Sequence, residues 1–296
     1  MTNWILYGIV VLTWGSAWLM LKFQLGVVAP EVSIAYRMGF AAICMFAWSA
    51  WRQVSIKFTF REHRYLALQG ALIFSLNFIL FYHAAKYLTT GLIAVVCSTA
   101  TIWVMIFNTL LLHRPPTLRV LFGAVLGICG IVTVFYPELG TFSLGSASAQ
   151  GFLLSMGGTL CFAMGSIVSQ RNQQAGFPGQ SNVAWATFYG TLLLTLFILF
   201  KGQTLTFDFR LPYIASLVYL TLFASVVAFG AYFALLRRVA SERAAYVTVL
   251  LPIVALGLST LFEGYQWSVA AFLGVLMILS GNVLVLAIPN ALPEKR

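Results

Sequence analysis

The fold of this chain is decided by residues 74–103, which read FSLNFILFYHAAKYLTTGLIAVVCSTATIW. Two apolar runs meet at a short polar break at residues 89–91, and the first run carries Asn77, Tyr82 and His83. Polar side chains at membrane depth are costly, so they usually face a bundle interior or a water-filled path. The stretch therefore predicts two adjacent membrane helices that contribute polar side chains to a functional site.

The pattern of this stretch returns 151 residues later in the chain. Similar residues recur at that offset over three hydrophobic segments: Tyr82 matches Phe233, Lys86 matches Arg237, Thr90 matches Ser241, Ala94 matches Ala245, Gly123 matches Gly274 and Gly130 matches Gly281. A register held over this length predicts an internal repeat. We place the first repeat at residues 1–140 and the second at residues 141–296.

The composition excludes a soluble globular fold. Hydrophobic residues make up 61% of the 296 residues, charged residues make up 8%, and the mean hydropathy is +0.93. Soluble domains carry about 25% charged residues. A helix needs about 20 residues to cross the hydrocarbon layer, and the chain has ten such spans, at residues 4–21, 33–51, 65–86, 91–112, 118–136, 150–169, 182–200, 211–235, 243–262 and 267–288.

The basic residues are distributed unevenly between alternate loops. Twelve Lys and Arg residues lie on one side of the predicted membrane and four on the other, with Arg37 inside a span. The cytoplasmic side carries the excess of Lys and Arg in membrane proteins, so both termini are predicted to be cytoplasmic. This sidedness explains the net charge of +10, and we expect the lipid bilayer as a partner and no nucleic acid.

Each predicted repeat contains five spans, so the second repeat enters the membrane in the opposite sense from the first. The predicted fold is therefore an all-α polytopic membrane protein with ten transmembrane helices arranged as two inverted five-helix repeats. Such a body has two similar ways to open, which favours transport by alternating access. A receptor or scaffold remains possible, but it gives no reason for an inverted repeat.

A cavity between the two repeats is the predicted binding site. Trp14 in TWGSAW (13–18) and Met164 in AMGSIV (163–168) occupy equivalent places, where they either face the cavity or belong to helix packing motifs. Asn77 either lines the cavity or bridges two helices, and His83 has either a binding or a structural role. The candidate substrate-binding residues are Trp14, Asn77, Tyr82, His83, Trp103, Met164, Trp185 and Tyr246.

The sequence contains no pattern typical of an enzyme or a metal site. The four cysteines lie in apolar runs without a CxxC or Cys/His ligand spacing, and HExxH and GxSxG are absent. All seven carboxylates fall in predicted loops or at span ends. Because pumps usually relay protons through buried Asp or Glu, proton coupling is disfavoured unless His83 carries the proton. We expect no cofactor and no catalytic residue.

Glycines recur in the fifth and tenth spans, at positions 123, 127, 130, 274 and 281. Small residues at this spacing bring membrane helices close together. The contact lies either within one chain or between two chains. The predicted assembly is a monomer or a weak homodimer.

These features together resemble the EamA-type members of the drug/metabolite transporter superfamily. The resemblance covers nearly the whole chain and is carried by TWGSAW (13–18), by Pro30 followed by Arg37, and by the blocks at residues 242–264 and 274–284. The segment YHAAKYLTTG (82–91) is most similar to the bacterial aromatic amino acid exporters of the YddG type.

The resemblance implies an exporter in the bacterial cytoplasmic (inner) membrane. Aromatic walls without a deep fixed carboxylate suit amino acids, aromatic and neutral ones preferred, and related metabolites. The alternative within the superfamily is a small-drug or nucleobase permease.

Overall fold

A computed structural model describes residues 3–112, 118–136, 146–236, 238 and 247–286. Regular structure in these ranges is helical, without a β-strand. The helices are α1 Asn3–Lys22, α2 Pro30–Trp51, α3 Phe60–Ala71, α4 Asn77–Ala84, α5 Thr90–Ser98, α6 Ala100–Leu112, α7 Leu118–Val134, α8 Ala147–Gln174, α9 Gly179–Phe200, α10 Leu211–Val218, α11 Ala228–Leu236, α12 Val247–Phe262 and α13 Val269–Leu286. Two π-helical segments, Leu72–Leu76 and Tyr219–Val227, join α3 to α4 and α10 to α11.

Among the described residues, seven helices are long and apolar enough to cross a membrane. They are Asn3–Lys22, Pro30–Trp51, Phe60–Ala84, Thr90–Phe107, Ala147–Gln174, Gly179–Phe200 and Leu211–Tyr232. The other three predicted spans coincide with shorter apolar helices, Leu121–Val134, Val247–Phe262 and Val269–Val285. The all-helical membrane fold is thus confirmed for the described residues, whereas the exact number of ten spans stays a prediction.

Of the described helices, α2, α3, α8 and α9 begin at least three residues before their predicted spans, and the starts of α2 and α3 bear on polar residues. Pro30 occupies the first turn of α2, where its missing N–H has no helical partner to lose. Thr59 caps α3 through a reciprocal capping box with Glu62. Glu31 and His63 therefore lie in the first turns of α2 and α3, ahead of the predicted span starts at residues 33 and 65.

The packing of the helices is nearly unchanged when the two halves are exchanged. Helix α7 packs on α13, α2 on α9 and α5 on α12, while α1 contacts α11 much as α8 contacts α4. The π-helical segments recur as well, because Leu72–Leu76 shifted by 151 residues falls within Tyr219–Val227. These contacts support the inverted repeat; its boundaries at residues 1–140 and 141–296 stay a prediction.

Glycines bring α7 and α13 into backbone contact within the chain. A Cβ atom on Gly123 would lie 2.8 Å from the carbonyl oxygen of Gly281, and one on Gly130 would lie 2.7 Å from that of Gly274. When the two halves are exchanged, the contact of Gly123 with Gly281 becomes the contact of Gly274 with Gly130. These glycines therefore pack one protomer internally and carry no indication of a dimer.

Candidate functional site

One end of the bundle, where α1 ends and α2 begins, holds a buried carboxylate in contact with two basic side chains. We call it the Glu31 end. The Nε2 atom of His83 lies 3.2 Å from Oε1 of Glu31, and Nζ of Lys201 lies 3.8 Å from the same oxygen. The Glu31 side chain is only 3% exposed. Glu31 lies in the first turn of α2 and His83 in the last turn of α4. The helix dipole favours a negative charge at the first position and a positive charge at the second.

A second carboxylate at this end replaces a missing helix cap. Thr89 makes no side-chain capping bond to α5. Instead Glu263, just after α12, accepts hydrogen bonds from the Thr90 backbone N–H at 2.9 Å, from the Thr90 hydroxyl at 2.7 Å and from the Ser259 hydroxyl. The Lys22 ammonium lies 3.0 Å from the other carboxylate oxygen, as an ion pair rather than a well-aligned hydrogen bond.

The environment of Glu263 favours its charged form. Burial raises the pKa of the carboxyl, but the hydrogen bonds from Ser259 and Thr90 and the charge of Lys22 together hold that pKa below its ordinary value. Ser259 also accepts the backbone N–H of Gly91 at 2.8 Å, in space that a Cβ atom on Gly91 would occupy. The polar break at residues 89–91 is thus the point where α12 binds the start of α5.

Both carboxylates join the two predicted halves. Glu31 belongs to the first half and contacts Lys201 of the second, while Glu263 belongs to the second half and binds Lys22 and Thr90 of the first. Both carboxylates lie at helix ends, as predicted, but contacts with the other half bury them there. Glu31 is buried because α2 begins early and includes it. Glu263 is buried because it accepts an N–H group at the start of α5 that has no partner within that helix.

Arg37 is a buried cation that the hydropathy pattern places in a span but does not assign to the site. It is 7% exposed, and its guanidinium carbon lies 4.6 Å from the centre of the Phe78 ring. Its Nε atom is buried without a hydrogen-bond partner in the described ranges. The signal for this residue is present in the sequence, since Arg37 is the one Lys or Arg residue that lies away from the ends of its predicted span.

The three predicted site residues of α4 occupy different surroundings. His83 contacts Glu31 and is about one-third exposed, whereas Tyr82 is fully buried. Asn77 is 2% exposed, and its Oδ1 atom has no hydrogen-bond partner in the described part of the chain. Neighbouring Ile73 and Phe81 lie against glycines of α8, so Asn77 lies near this interface. Neither its bridging role nor its binding role is decided by these contacts.

The remaining predicted residues are spread over the bundle. Trp14 donates its indole N–H to the carbonyl of Ala224 at 2.9 Å and packs on Phe229, while Met164 is 46% exposed. Trp103 is half-buried, with Phe107 of the same helix as its ring neighbour at 6.4 Å. Tyr246 lies outside the described residues.

Trp185 lies at the other end of the bundle from His83. Its indole N–H donates to the carbonyl of Ile56 at 2.9 Å, and its ring stacks on Tyr189. Fifteen residues of α9 separate Trp185 from Phe200 at the Glu31 end, which corresponds to about 22 Å. Trp185 and His83 thus do not contact one small solute together. Two apolar cavities, one between α6, α7 and α13 and one between α12 and α13, include none of the predicted residues.

Comparison with known proteins gives a family for the whole chain. The model of the EamA-like transporter family matches residues 2–136 and again residues 149–287. Protein PagO of Salmonella typhimurium is 24% identical over 97% of this chain and 93% of its own length. Protein PecM of Dickeya dadantii is 28% identical over 74% and 72% of the two chains, and the uncharacterized transporter YvbV of Bacillus subtilis is 22% identical over 95% and 90%. A solved crystal structure, 15% identical, has the same fold, with a TM-score of 0.67 over 95% of this chain and 94% of that one.

Proposed function

The chain belongs to the EamA-like transporter family, and from this premise we propose that it exports amino acids, aromatic and neutral ones preferred, by alternating access between its two halves. We place it in the bacterial cytoplasmic membrane with both termini in the cytoplasm. The Glu31 end then faces outward. The proposal includes no enzymatic activity, in keeping with a family of transporters.

One observation carries the transport mechanism. At the Glu31 end the halves are joined by Glu31–Lys201 and by Glu263 with Lys22 and Thr90. Contacts of this kind can separate in water, because half-exposed ammonium groups such as those of Lys22 and Lys201 regain solvation. We infer that they close the outward side and separate when the halves rock apart, as inverted repeats do around a central site.

The choice of amino acids rests on the similarity of residues 82–91 to aromatic amino acid exporters and on the aromatic side chains along α4. The second candidate, a permease for small cationic drugs, is favoured by the burial of Glu31 and Glu263. Both carboxylates already bind basic side chains of the chain itself. We therefore keep amino acids as the proposed substrate class.

Uptake into liposomes tests this function. Liposomes containing the purified protein are expected to take up radiolabelled phenylalanine and threonine saturably, with or without a pH gradient, because His83 is partnered by a carboxylate rather than by a relay of acids. Empty liposomes are the control. Uptake only with the gradient would assign proton transport to His83, and uptake of neither solute would contradict the proposed function in favour of the drug or nucleobase permease.

His83→Ala is expected to lower this uptake about tenfold, because removing a hydrogen bond to a buried charged group costs about 1.5–3 kcal/mol. His83→Gln keeps a donor for Glu31 and should stay within about threefold of the wild-type protein. Initial uptake rates, normalised to the protein inserted, provide the measurement. If His83→Ala and Tyr82→Ala both transport at the wild-type rate, these residues do not belong to the site.

A further inference from the structure

Arg37 is a cation removed from water, and no carboxylate of the described residues pairs with it. Arg37 is only 7% exposed, and its Nε atom has no hydrogen-bond partner in the described ranges. Burying a guanidinium without a counter-charge costs several kcal/mol even after relaxation. Ionisable residues kept at membrane depth usually serve a pathway. The cost of this arrangement points to an anion that binds there.

The carboxylates of the described part are all engaged elsewhere. Glu31 contacts His83, Glu62 completes the cap of α3 at Thr59, Asp208 is paired with Arg210 and Glu263 is paired with Lys22. The Phe78 ring faces the Arg37 guanidinium at 4.6 Å. A stacked ring orients the guanidinium plane but does not use its N–H groups. The counter-charge is therefore expected to come from a bound molecule.

The position of Arg37 suits a solute in transit. Arg37 lies seven residues after Pro30 in α2, and Phe78 lies six residues before Ala84 in α4. Both are thus about 10 Å inside the Glu31 end of the bundle, about a third of the way through the hydrocarbon layer. The cluster of Glu31, His83 and Lys201 lies between this point and the end of the helices.

A second polar group accompanies the guanidinium. Tyr82 follows Phe78 by one turn of α4, so both side chains lie on one face of that helix. The Tyr82 hydroxyl is fully buried and near enough to the Arg37 guanidinium to interact with its charge and its donor groups, and no other partner for this hydroxyl lies in the described part of the chain. A hydroxyl and a guanidinium with free donors are the groups that bind a carboxylate.

We propose that Arg37 binds the carboxylate of the transported solute, with the Tyr82 hydroxyl as a second donor and the Phe78 ring holding the guanidinium in place. This inference rests on the proposed function and deepens it by naming the recognised group. The fork of N–H groups on Arg matches the two oxygens of a carboxylate. The site selects amino acids and other organic carboxylates and rejects amines that carry only a positive charge, because Arg37 repels them.

Matched ligands test the proposal by a measurement that does not need transport. The shift in the Tm of the purified protein is recorded with phenylalanine, phenylalaninamide and phenethylamine, which differ at the carboxyl group. Phenylalanine is expected to raise the Tm saturably and the other two to bind at least about 30-fold more weakly, since charge-assisted bonds to Arg are lost. Equal binding of the acid and its amide overturns the proposal.

Variants separate recognition by Arg37 from a general effect of charge. Arg37→Gln is expected to weaken phenylalanine binding about 30-fold or more. Arg37→Lys keeps the positive charge but lacks the planar fork, so it should weaken binding less than Arg37→Gln. Tyr82→Phe should weaken binding about threefold to tenfold. Lys86→Gln removes an exposed cation near the same end and should leave binding unchanged. The Tm without ligand shows which variants fold. If Arg37→Gln does not fold, Arg37→Lys and Tyr82→Phe decide, and wild-type binding by both overturns the proposal.

If amino acid transport is the wrong function, the binding assay gives a different result from the one expected if Arg37 does not bind carboxylates. If the wild-type protein binds no amino acid, phenylpropionate, benzoate and lactate are used in the same assay. Binding of any of these that Arg37→Gln or Arg37→Lys weakens upholds carboxylate recognition while contradicting amino acid transport. Binding of none of them overturns the role of Arg37.

Discussion

Gly130→Val is expected to destabilise the protein by about 1–3 kcal/mol, the cost of forcing extra atoms into a packed contact. A Cβ atom at this position would lie 2.7 Å from the carbonyl oxygen of Gly274 and 2.9 Å from the backbone nitrogen of Ile278. Backbone atoms of α13 cannot turn away as a flexible side chain does, so the two helices must separate. Thermal unfolding in detergent, compared with the wild-type protein, measures the loss.

Gly257→Val is the matched control for this prediction. Gly257 lies inside α12, and no atom lies within 4 Å of the place where its Cβ atom would be. The same substitution should therefore change stability little at this position. Gly274→Val should behave like Gly130→Val, because its Cβ atom would meet the carbonyl oxygen of Gly130 at 2.6 Å. Equal stability of the Gly130 and Gly257 variants would show that α7 and α13 do not pack as described.

Glu263→Gln is expected to lower the free energy of unfolding by about 1.5–3 kcal/mol, because charge-assisted hydrogen bonds to the start of α5 are replaced by weaker ones. The Lys22 partner is 46% exposed, so its contribution is screened by solvent and small. The same change removes a charged contact between the halves and should raise the fraction of open protein. Asp208→Asn is the control, since its Arg210 partner is 66% exposed, and it should have a smaller effect. Similar losses for both variants would contradict the capping role of Glu263.

The pH dependence of stability provides a second test of Glu263. Its pKa in the folded protein lies below the ordinary value of 4.5. The charged carboxylate therefore stabilises the fold fully above that ordinary value, and this contribution is lost as the pH falls toward the lowered pKa. Between pH 6 and about pH 3.5 the Tm of the wild-type protein should fall further than that of Glu263→Gln. Parallel curves for the two proteins would exclude Glu263 as the titrating group.

The contacts at the Glu31 end, together with Arg37 deeper in the bundle, suggest one path for a solute. In the proposed mechanism, the carboxylate of an amino acid bound at Arg37 would lie about 10 Å from the Glu31 end of the bundle, behind Glu31 and His83. Separation of the Glu31 and Glu263 contacts would open this side while the repeated packing of the other helices is kept. The two classes of experiment above examine the closing contacts and the bound carboxylate separately.

Much of the fold can be predicted from the sequence because the bilayer restricts the possibilities. A long apolar run without water to satisfy its backbone becomes a helix, so the helices appear where the hydropathy places them. The starts of α2 and α3 differ from the predicted ones because Pro30 in α2 and the Thr59 cap in α3, not hydropathy, decide where these helices begin. The Thr59 and Glu62 pair was readable as a capping box, and it would have placed His63 in a helix.

The site was less predictable, for a geometric reason. Periodicity gives the position of a side chain around and along its own helix, but it does not identify the neighbouring helix. Sequence therefore listed Trp185 with His83, which the tertiary structure places at opposite ends of the bundle. The sequence also gives no partner for Glu263, because a residue after α12 meets Thr90 only once the two halves pack together.

By itself the sequence determined that this protein is an all-helical membrane transporter of the EamA-like family, with related halves and a charged residue, Arg37, inside an apolar helix. Only the tertiary structure decided which charges meet. Glu31 and Glu263 are partnered by side chains from distant segments, whereas Arg37 pairs with none of the carboxylates in the described ranges. Pairing depends on distances of a few ångströms between helices far apart in the chain, and these distances are set by packing rather than by hydropathy.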